Sequence, residues 1–248
     1  MTQVIGHRGA PLAAPENTVA AFRAAAAQGA DGVELDVRRT ADGRLVVHHD
    51  AHLPDGRALV GTASHDLPGD VPGLDAALDA CRHLALVNVE IKNWPDDVDF
   101  DASLGAVDRV VDALAARPAG ERERLLVSCF HLPSIDRVRE RAPDLATAWL
   151  VIGPLEAVGH VPDASAGDPV AAMVAEAAAH GHRGLHPHHA FVSERLVSAA
   201  HDAGLAVNTW TCDDPERIRW LAEVGVDGVI TNAPDVALAA LGRRPVRR

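Results

Sequence analysis

The chain has 248 residues, of which 48% are apolar, and this is the length of one α/β barrel with a large core. Its formal net charge of −12 argues against general affinity for nucleic acid or anionic membranes. No apolar stretch reaches the length of a membrane span, and the first predicted strand begins almost at Met1. We therefore expect a cytoplasmic protein without a signal peptide and without stable membrane insertion.

The chain contains three cysteines, an odd number at wide spacings, which suits neither a disulfide framework nor a zinc site. They are Cys81, Cys129 and Cys212. Reduced and mostly buried thiols are the predicted state.

Along the chain, short apolar runs alternate with Ala-rich segments of helical period, which is typical of repeated βα units around a parallel sheet. Eight such strands and their helices predict a (β/α)₈ TIM barrel formed by one domain over residues 1–248. The strands are predicted near residues 3–7, 32–36, 86–91, 125–129, 146–151, 184–187, 206–210 and 228–231. The helices are clearest at Thr18 to Gln28, Ser103 to Arg117, Pro133 to Arg141, Ser193 to Ala203 and Pro215 to Val224.

Carboxylates stand at the ends of the second and third barrel strands, where the active sites of such barrels form. Glu34 and Asp36 are two residues apart, so a strand places both on one face. Like charges that close repel each other unless a cation lies between them. Glu90 ends the next barrel strand and offers a third oxygen ligand, with Lys92 on the same face. Since hard cations prefer oxygen ligands, the pattern predicts a site for one Mg²⁺ or Ca²⁺ ion.

The segment between residues 37 and 85 is too long for a simple βα connection. Arg44 to His49 predicts an extra strand that returns over the barrel mouth and delivers His49. Residues 51–72 predict a short irregular insertion between strands 2 and 3. Further on, residues 153–170 predict a surface loop or a lid at the rim, and the basic residues 243–248 predict a frayed, solvated tail.

These motifs together resemble the glycerophosphodiester phosphodiesterase family, in the superfamily of phosphatidylinositol-phosphodiesterase-like TIM barrels. The resemblance runs nearly end to end and is most specific in the first fifty residues. The shared pattern is His7-Arg8-Gly9, Pro15-Glu16-Asn17-Thr18, Ala21-Phe22, Gly29, Asp31, Glu34-x-Asp36-Val37, Thr40-x-Asp42-Gly43, Val46-Val47-x-His49-Asp50, Glu90-Ile91-Lys92, Ser128-x-Phe130, Gly204-Leu205, Trp210-Thr211 and Gly225 to Thr231.

The resemblance implies metal-dependent hydrolysis of small glycerophosphodiesters to sn-glycerol 3-phosphate and an alcohol. It implies that His7 and His49 form the acid/base pair, and imidazole titrates near neutrality as that role requires. The sequence does not decide which histidine is the acid. It also leaves open whether water attacks directly or a glycerol hydroxyl first closes a cyclic phosphate.

The remaining candidates are residues around this centre. Arg8 is predicted to bind phosphate, because a guanidinium matches phosphate oxygens. Lys92 and Trp210 are predicted to contact the substrate, the latter as a wall for the glycerol or head group. Glu16 and Ser128 are predicted to support the site from behind, with Glu16 orienting Arg8 or a histidine. The pair Asn17-Thr18 is predicted to cap the first helix.

Two rival functions remain at this point. One is phospholipase-D-like action on lysophospholipids, which needs an apolar rim. The other is a catalytically silent barrel that binds polyols or phosphate esters, although no predicted ligand or histidine is missing. A second metal site at the histidines that end the sixth barrel strand is a further hypothesis; these are His186, His188 and His189. Head-group preference, Mg²⁺ against Ca²⁺ and oligomeric state cannot be read from the sequence.

Overall fold

The computed structural model describes residues 1–153 and 168–243. Eight parallel strands form a closed barrel, because β1 pairs with both β2 and β9. The predicted (β/α)₈ barrel is thus confirmed. The strands are β1 (Gln3–Gly6), β2 (Gly32–Arg39), β3 (Leu45–Val47), β4 (Leu86–Ile91), β5 (Leu125–Cys129), β6 (Ala146–Val151), β7 (Gly184–Pro187), β8 (Ala206–Thr209) and β9 (Gly228–Thr231).

Helices follow the barrel strands and cover the outside of the sheet. They are α1 (Val19–Gln28), α2 (Leu74–Ala80), α3 (Gly105–Ala115), α4 (Ala119–Arg122), α5 (Leu132–Arg141), α6 (Pro169–Ala179), α7 (Glu194–Asp202), α8 (Pro215–Glu223) and α9 (Pro234–Ala240). Their buried apolar sides and the outward faces of the strands form one large core that includes Phe22, Leu35 and Trp149. In the described ranges, none of the helices combines the length and the apolar character that a membrane crossing requires.

The extra strand β3 pairs antiparallel with β2, with Val47 opposite Val37. Beyond it, the backbone N–H of His48 donates to the Asp36 carbonyl at 3.0 Å. The predicted return strand is therefore present; it runs back from the carboxyl end of β2 and brings His49 close to Asp36. Without this return, His49 would lie far from the ends of the barrel strands.

The insertion at residues 51–72 contains two 3₁₀ turns, Leu59–Gly61 and Ser64–Asp66. Its apolar side chains form a small cluster of their own against β3, composed of Val46, Leu53 and Leu59 with Leu67 and Val71 around them. The predicted loop or lid at residues 153–170 lies largely outside the described residues, which resume at Asp168.

The three cysteines are free and buried. Burial raises the pKa of the Cys81 and Cys129 thiols to about 12. They are therefore protonated and unreactive at neutral pH.

The prediction of a frayed tail is wrong at its first residue. The Arg243 guanidinium donates two hydrogen bonds of 2.7 Å to the two carboxylate oxygens of Asp31. The Asp31 carboxylate also accepts from the Val4 backbone N–H at 2.8 Å. This bidentate ion pair joins Asp31, in the turn between α1 and β2, to Arg243 after α9. It could not be predicted from the sequence, because 212 residues separate its two partners. Residues 244–248 lie outside the described part of the chain.

This ion pair predicts a pH-dependent loss of stability for Asp31→Asn. Burial would raise the pKa of the Asp31 carboxyl, but the hydrogen bonds from Arg243 and Val4 outweigh it and lower the pKa. The stabilisation is therefore present above the unfolded-state pKa of about 3.9 and is lost as the pH falls through the lower folded-state pKa. At pH 7 we expect the variant to be less stable by about 1 to 2 kcal/mol in urea unfolding.

As the pH falls below the unfolded-state pKa and through the lower folded-state pKa, the difference between wild type and Asp31→Asn should shrink, because the wild-type carboxyl becomes protonated. Asp55→Asn is the matched control, since Asp55 pairs with Arg57 on an exposed loop. A destabilisation that persists undiminished into acid would show that the carboxylate charge is not its cause.

Candidate active site

A cavity of about 120 Å³ opens at the carboxyl ends of the barrel strands. Seven of the residues predicted from the sequence line it, namely His7, Arg8, Glu34, His49, Glu90, Lys92 and Trp210. The other lining residues are Asn88, Phe130, Leu150, Thr211 and Ile230. A cleft of about 290 Å³ adjoins it and shares His49, Glu90, Lys92 and Phe130. A larger cavity of about 570 Å³ lies around Gly43 and Arg109 and contains none of these residues. We place the active site in the smaller cavity, because buried carboxylates, cationic side chains and two histidines converge there.

A tight turn after β1 positions the first of these residues. Arg8 and Gly9 both have positive φ angles, of 54° and 90°. A Cβ atom on Gly9 would lie 2.6 Å from the backbone carbon of Ala21, so only glycine fits against α1. The turn directs the Arg8 backbone N–H at the Glu34 carboxylate, where it donates a 2.9 Å hydrogen bond.

Three buried carboxylates meet at the ends of β2 and β4. Asp36 and Glu90 are partners in the strand register, and one oxygen each of Glu34, Asp36 and Glu90 lie within 4.8 Å of one another. Burial raises the pKa of Glu34 well above its ordinary value, and the charges of Asp36 and Glu90 add to this. Burial also raises the pKa of Glu90. The predicted convergence of the three side chains is confirmed.

Asp36 differs from the other two because cations and an amide surround it. Lys92 Nζ lies 2.9 Å from Asp36 Oδ1 and also contacts Glu90, while Arg8 Nε lies 3.3 Å from Asp36 Oδ2. Burial would raise the pKa of Asp36, but the charge of Lys92, followed by smaller contributions, holds it well below its ordinary value. Asp36 is therefore ionised at neutral pH.

Asn17 is also a partner of Asp36, and its predicted role as a helix cap is wrong. Its Nδ2 donates to Asp36 Oδ2 at 2.7 Å, and its backbone has a positive φ of 57°. Thr18 alone caps α1, accepting from the Ala21 backbone N–H at 3.1 Å. The left-handed turn at Asn17 is what directs its amide into the site rather than along the helix.

The donor set fits a hard divalent cation. Three carboxylates carry three negative charges, and Arg8 and Lys92 offset two of them. One Glu34 oxygen, Oε1, is buried and has no hydrogen-bond partner among the described residues. An unpaired buried oxygen next to two other carboxylates is costly, and a bound cation would satisfy it.

His7 is held by a chain of hydrogen bonds that starts at Asp213. The Asn232 Nδ2 donates to Asp213 Oδ2 at 2.7 Å, so the opposite amide oxygen of Asn232 faces His7 Nδ1 at 2.8 Å. His7 Nδ1 must then be the donor, which leaves a lone pair on Nε2. Burial, with a further contribution from the charge of Arg8, lowers the pKa of His7. His7 is neutral at physiological pH and can accept a proton at Nε2.

His49 has a different partner. Its Nδ1 lies 2.6 Å from Asp50 Oδ1, and Asp50 is exposed. Burial, and then the charge of Lys92, lower the pKa of His49; the charge of Asp36 and the bond to Asp50 oppose this fall without reversing it. The backbone carbonyl of His49 accepts from Arg38 Nε at 2.7 Å. Arg38 is itself buried and donates to Asp97 and Asp99, so it anchors the loop that carries His49.

An aromatic wall closes one side of the cavity. Trp210 packs edge-on against Phe130 at 5.4 Å between ring centres, and Phe130 packs in the same way against Trp94 at 5.2 Å. The Trp210 Nε1 donates to the His186 carbonyl at 2.7 Å, which fixes the indole plane. Trp210 therefore lies where a wall was predicted, immediately after β8.

The supporting residues are partly where they were expected. Glu16 is exposed and accepts from Arg8 Nη1 at 2.8 Å. Ser128 is fully buried beside Glu90 in the strand register, but its hydroxyl has no hydrogen-bond partner within the described ranges. It therefore makes no hydrogen bond to the carboxylate cluster in the described ranges, and its supporting role stays a prediction.

The histidines near the end of β7 do not form a three-ligand cluster in the described part of the chain. His186 is inside the barrel, with Nε2 3.1 Å from the Asn208 amide. His188 and His189 lie at the rim with their rings 4.6 Å apart. The hypothesis of a metal site there has no support from their geometry.

Four residues of the site were missed in the sequence: Asn17 as a partner of Asp36, Arg38 as an anchor of His49, and Asn232 with Asp213 behind His7. Arg38 carried a signal that could have been used, since it stands two residues after Asp36 on the same strand face. Asn232 directly follows β9, and strand ends were already the expected position of the site.

A model of the glycerophosphoryl diester phosphodiesterase family matches residues 7–236 of the chain. The chain is similar to the glycerophosphodiester phosphodiesterases of Caldanaerobacter subterraneus and Bacillus altitudinis. The first is 29% identical, with 96% of each chain covered. The second is 30% identical, with 96% of this chain and 97% of the relative covered.

Solved structures give the same result. The glycerophosphodiester phosphodiesterase of Thermotoga maritima is 27% identical with a TM-score of 0.77, covering 98% of this chain and 99% of the other. A phosphodiesterase of Oleispira antarctica, solved in complex with the product sn-glycerol-3-phosphate, is 25% identical with a TM-score of 0.81, covering 98% and 97%.

Proposed function

Because the chain belongs to the glycerophosphoryl diester phosphodiesterase family, we propose that it hydrolyses glycerophosphodiesters to sn-glycerol 3-phosphate and an alcohol with the help of a divalent cation. The observation that carries the proposal is the convergence of three carboxylates, two cationic side chains and two histidines on one cavity. The product bound by the Oleispira antarctica relative supports glycerol 3-phosphate as the product here. We further infer that a single domain carries this activity.

Glu34, Asp36 and Glu90 would hold the cation, which supplies positive charge to a phosphate oxygen when bound. Arg8 and Lys92 face the same cavity and bind the remaining anionic oxygens of the phosphate. Carboxylates hold both side chains in place, Glu16 at Arg8 and Asp36 at Lys92, so the two positive charges are oriented before the substrate binds.

We assign the general base to His7 and the general acid to His49. The amide of Asn232 fixes the tautomer of His7 with a free Nε2, which takes the proton of the attacking oxygen, that of water or of the neighbouring glycerol hydroxyl. His49 differs from His7 in having the carboxylate of Asp50 on its Nδ1, which opposes the fall in its pKa, so we give His49 the role of the acid that donates its proton to the departing alkoxide. The bond from phosphorus to the attacking oxygen forms as the bond to the leaving alkoxide breaks. Where the glycerol hydroxyl attacks, the product of this step is a cyclic phosphate, and water then opens it to glycerol 3-phosphate with the two histidines exchanging roles.

We propose that the head-group alcohol of the substrate binds in the adjoining cleft. It contains the rings of Trp94 and Phe130 together with the exposed carboxylate of Asp50. Aromatic faces beside negative charge favour cationic groups, so we place choline or ethanolamine head groups there.

The experiment that tests this function is an assay of glycerophosphodiesters bearing choline, ethanolamine, inositol and glycerol, with coupled detection of glycerol 3-phosphate. We expect release of glycerol 3-phosphate from all of them and the highest kcat/KM for the two cationic head groups. Binding of these esters without turnover would favour the catalytically silent barrel.

One observation favours the rival action on lysophospholipids. Three exposed apolar side chains lie on loops that follow barrel strands, at the end of the barrel where the cavity opens: Leu12 after β1, Val98 after β4 and Phe191 after β7. Such side chains could contact a lipid surface. Release of choline from lysophosphatidylcholine at a rate above that from glycerophosphocholine would establish this activity in place of the proposed one.

Lys92 provides a prediction about shape rather than charge. It is the only lysine of the chain, which contains 22 arginines. Its ammonium contacts both Asp36 and Glu90, and its side chain is 12% exposed. A guanidinium is wider and planar, so Lys92→Arg should displace the carboxylates or block the phosphate. We expect kcat/KM to fall at least about tenfold, or roughly 1.4 kcal/mol, with little change in Tm.

The reverse exchange at an exposed ion pair, Arg57→Lys, is the control and should leave the kinetics unchanged, because Arg57 pairs with Asp55 on the insertion. Wild-type kinetics for Lys92→Arg would show that Lys92 does not bind the substrate and only stabilises the barrel through its ion pairs.

A further inference from the structure

A second group of metal-ligating side chains lies at the opposite end of the barrel from the active-site cavity. Asp136 belongs to α5, His180 follows α6, and His182 precedes β7. One ligand atom of each lies within 4.8 Å of the other two. The active-site residues are at the carboxyl ends of the strands, whereas this group stands before the amino end of β7.

Two ring nitrogens of this group face one carboxylate. His180 Nδ1 lies 2.9 Å from both oxygens of Asp136, and His182 Nε2 lies 3.3 Å from Asp136 Oδ1. Neighbouring ligand atoms of a tetrahedral metal are about 3.3 Å apart when the bonds to the metal are about 2.0 Å long. The separations of both histidines from Asp136 are thus already close to those that a tetrahedral ion needs, and the two ring nitrogens lie within 4.8 Å of each other.

The outer nitrogens of both rings have oxygen partners. His180 Nε2 lies 3.4 Å from the Glu176 carboxylate, and His182 Nδ1 lies 2.9 Å from the Thr147 hydroxyl. Histidines that bind metals usually donate their second N–H to such an oxygen, which leaves the inner nitrogen free for the ion. The arrangement matches that pattern at both histidines.

His182 is the strongest indication of a missing partner. Its side chain has no exposed surface, and its Nε2 has no hydrogen-bond partner of good geometry in the described parts of the chain. Because the other ring nitrogen, Nδ1, faces the Thr147 hydroxyl at 2.9 Å, it is Nε2 that faces the Asp136 carboxylate. A cation between Nε2 and the carboxylate would give this buried nitrogen a partner. The guanidinium of Arg139, which donates to the Gly181 carbonyl at 2.9 Å, is a nearby positive charge that opposes a cation at this site.

We propose that Asp136, His180 and His182 bind a Zn²⁺-class transition-metal ion, with water as the remaining ligand. Two imidazoles and one carboxylate suit Zn²⁺ better than Mg²⁺ or Ca²⁺, which prefer oxygen ligands alone. The ion would join α5 to the chain between α6 and β7 and would stabilise the fold without taking part in hydrolysis.

The test uses the full chain with Zn²⁺ or Co²⁺ as the only added metal. We expect one equivalent of Co²⁺ to give the visible d–d absorption of a tetrahedral site and to be displaced by Zn²⁺, with a rise in Tm on Zn²⁺ addition. His182→Asn and Asp136→Asn should each lose the absorption. Thr147→Val, which removes only the outer partner, should weaken binding by about 10- to 100-fold.

Two controls separate this site from others. His201→Asn alters an exposed histidine paired with the single carboxylate Asp227 and should keep the absorption. Glu34→Gln alters the active-site cluster and should keep it as well. If His182→Asn and Asp136→Asn, both folded by circular dichroism, bound Co²⁺ with the wild-type spectrum, or if the wild type gave no tetrahedral spectrum, the proposal would be wrong.

Discussion

His7→Ala and His49→Ala should each lower kcat by at least about two orders of magnitude, the usual contribution of a positioned acid or base. Both rings line the cavity, and each has one nitrogen held by a partner and the other available. Because we propose that Arg8 and Lys92, and not the histidines, bind the phosphate, KM should change much less than kcat. Steady-state kinetics with glycerophosphocholine would measure both constants.

The matched controls are His188→Ala and His189→Ala, which change rim histidines close to the same strand ends. They should retain most of the activity. Losses as large as those of His7→Ala would move the acid/base pair to the loop after β7.

The alanine variants show whether each histidine is needed, but only the pH profile of kcat shows which one is the acid and which the base. Asp50→Asn removes the charge that favours protonated His49, so the pKa of His49 should fall. The alkaline limb of kcat, where the acid loses its proton, should then move to lower pH. If the acidic limb moved instead, His49 would be the base and His7 the acid.

The barrel itself could be predicted well because its signals are local. Each strand is a short apolar run, and the alternation of strands with Ala-rich helices reports the parallel sheet directly. The position of Glu34, Asp36 and Glu90 followed from two rules, period two along a strand and the convergence of strand ends. The return strand β3 was also predicted from its length and position.

The contacts that complete the site could not be predicted in the same way, because they join distant parts of the chain. His7 and Asn232 are 225 residues apart, and no local pattern pairs them. Asn17 looked like a helix cap, since Asn before Thr and a helix is a common cap sequence, and only the left-handed turn reveals its contact with Asp36. His180 and His182 were passed over because their carboxylate partner, Asp136, lies on another helix.

Substitution of the carboxylates should give the largest losses of activity, whereas its effect on stability should differ in sign between Glu34 and Asp36. Glu34→Gln and Asp36→Asn should each abolish most turnover, and Glu90→Gln likewise, since each removes a ligand from the cation site. EDTA should abolish turnover of the wild type, and Mg²⁺ or Ca²⁺ should restore it. Full activity in a preparation shown to be free of metal would remove the cation from the proposed function.

The stabilities of the metal-free variants test the charge balance independently of activity. Burial and the neighbouring carboxylates raise the pKa of Glu34, so its charge is unfavourable in the fold and Glu34→Gln should raise the Tm. Neutralising Asp36 should have the opposite effect on stability, since its pKa is lowered and its charge is paired with Lys92 and Arg8. Asp36→Asn should therefore lower the Tm, because it leaves a buried ammonium without one of its two partners. A rise in Tm for both variants would mean that repulsion among the carboxylates outweighs the ion pairs at Asp36, and that the cluster carries more uncompensated negative charge than the contacts of Lys92 indicate.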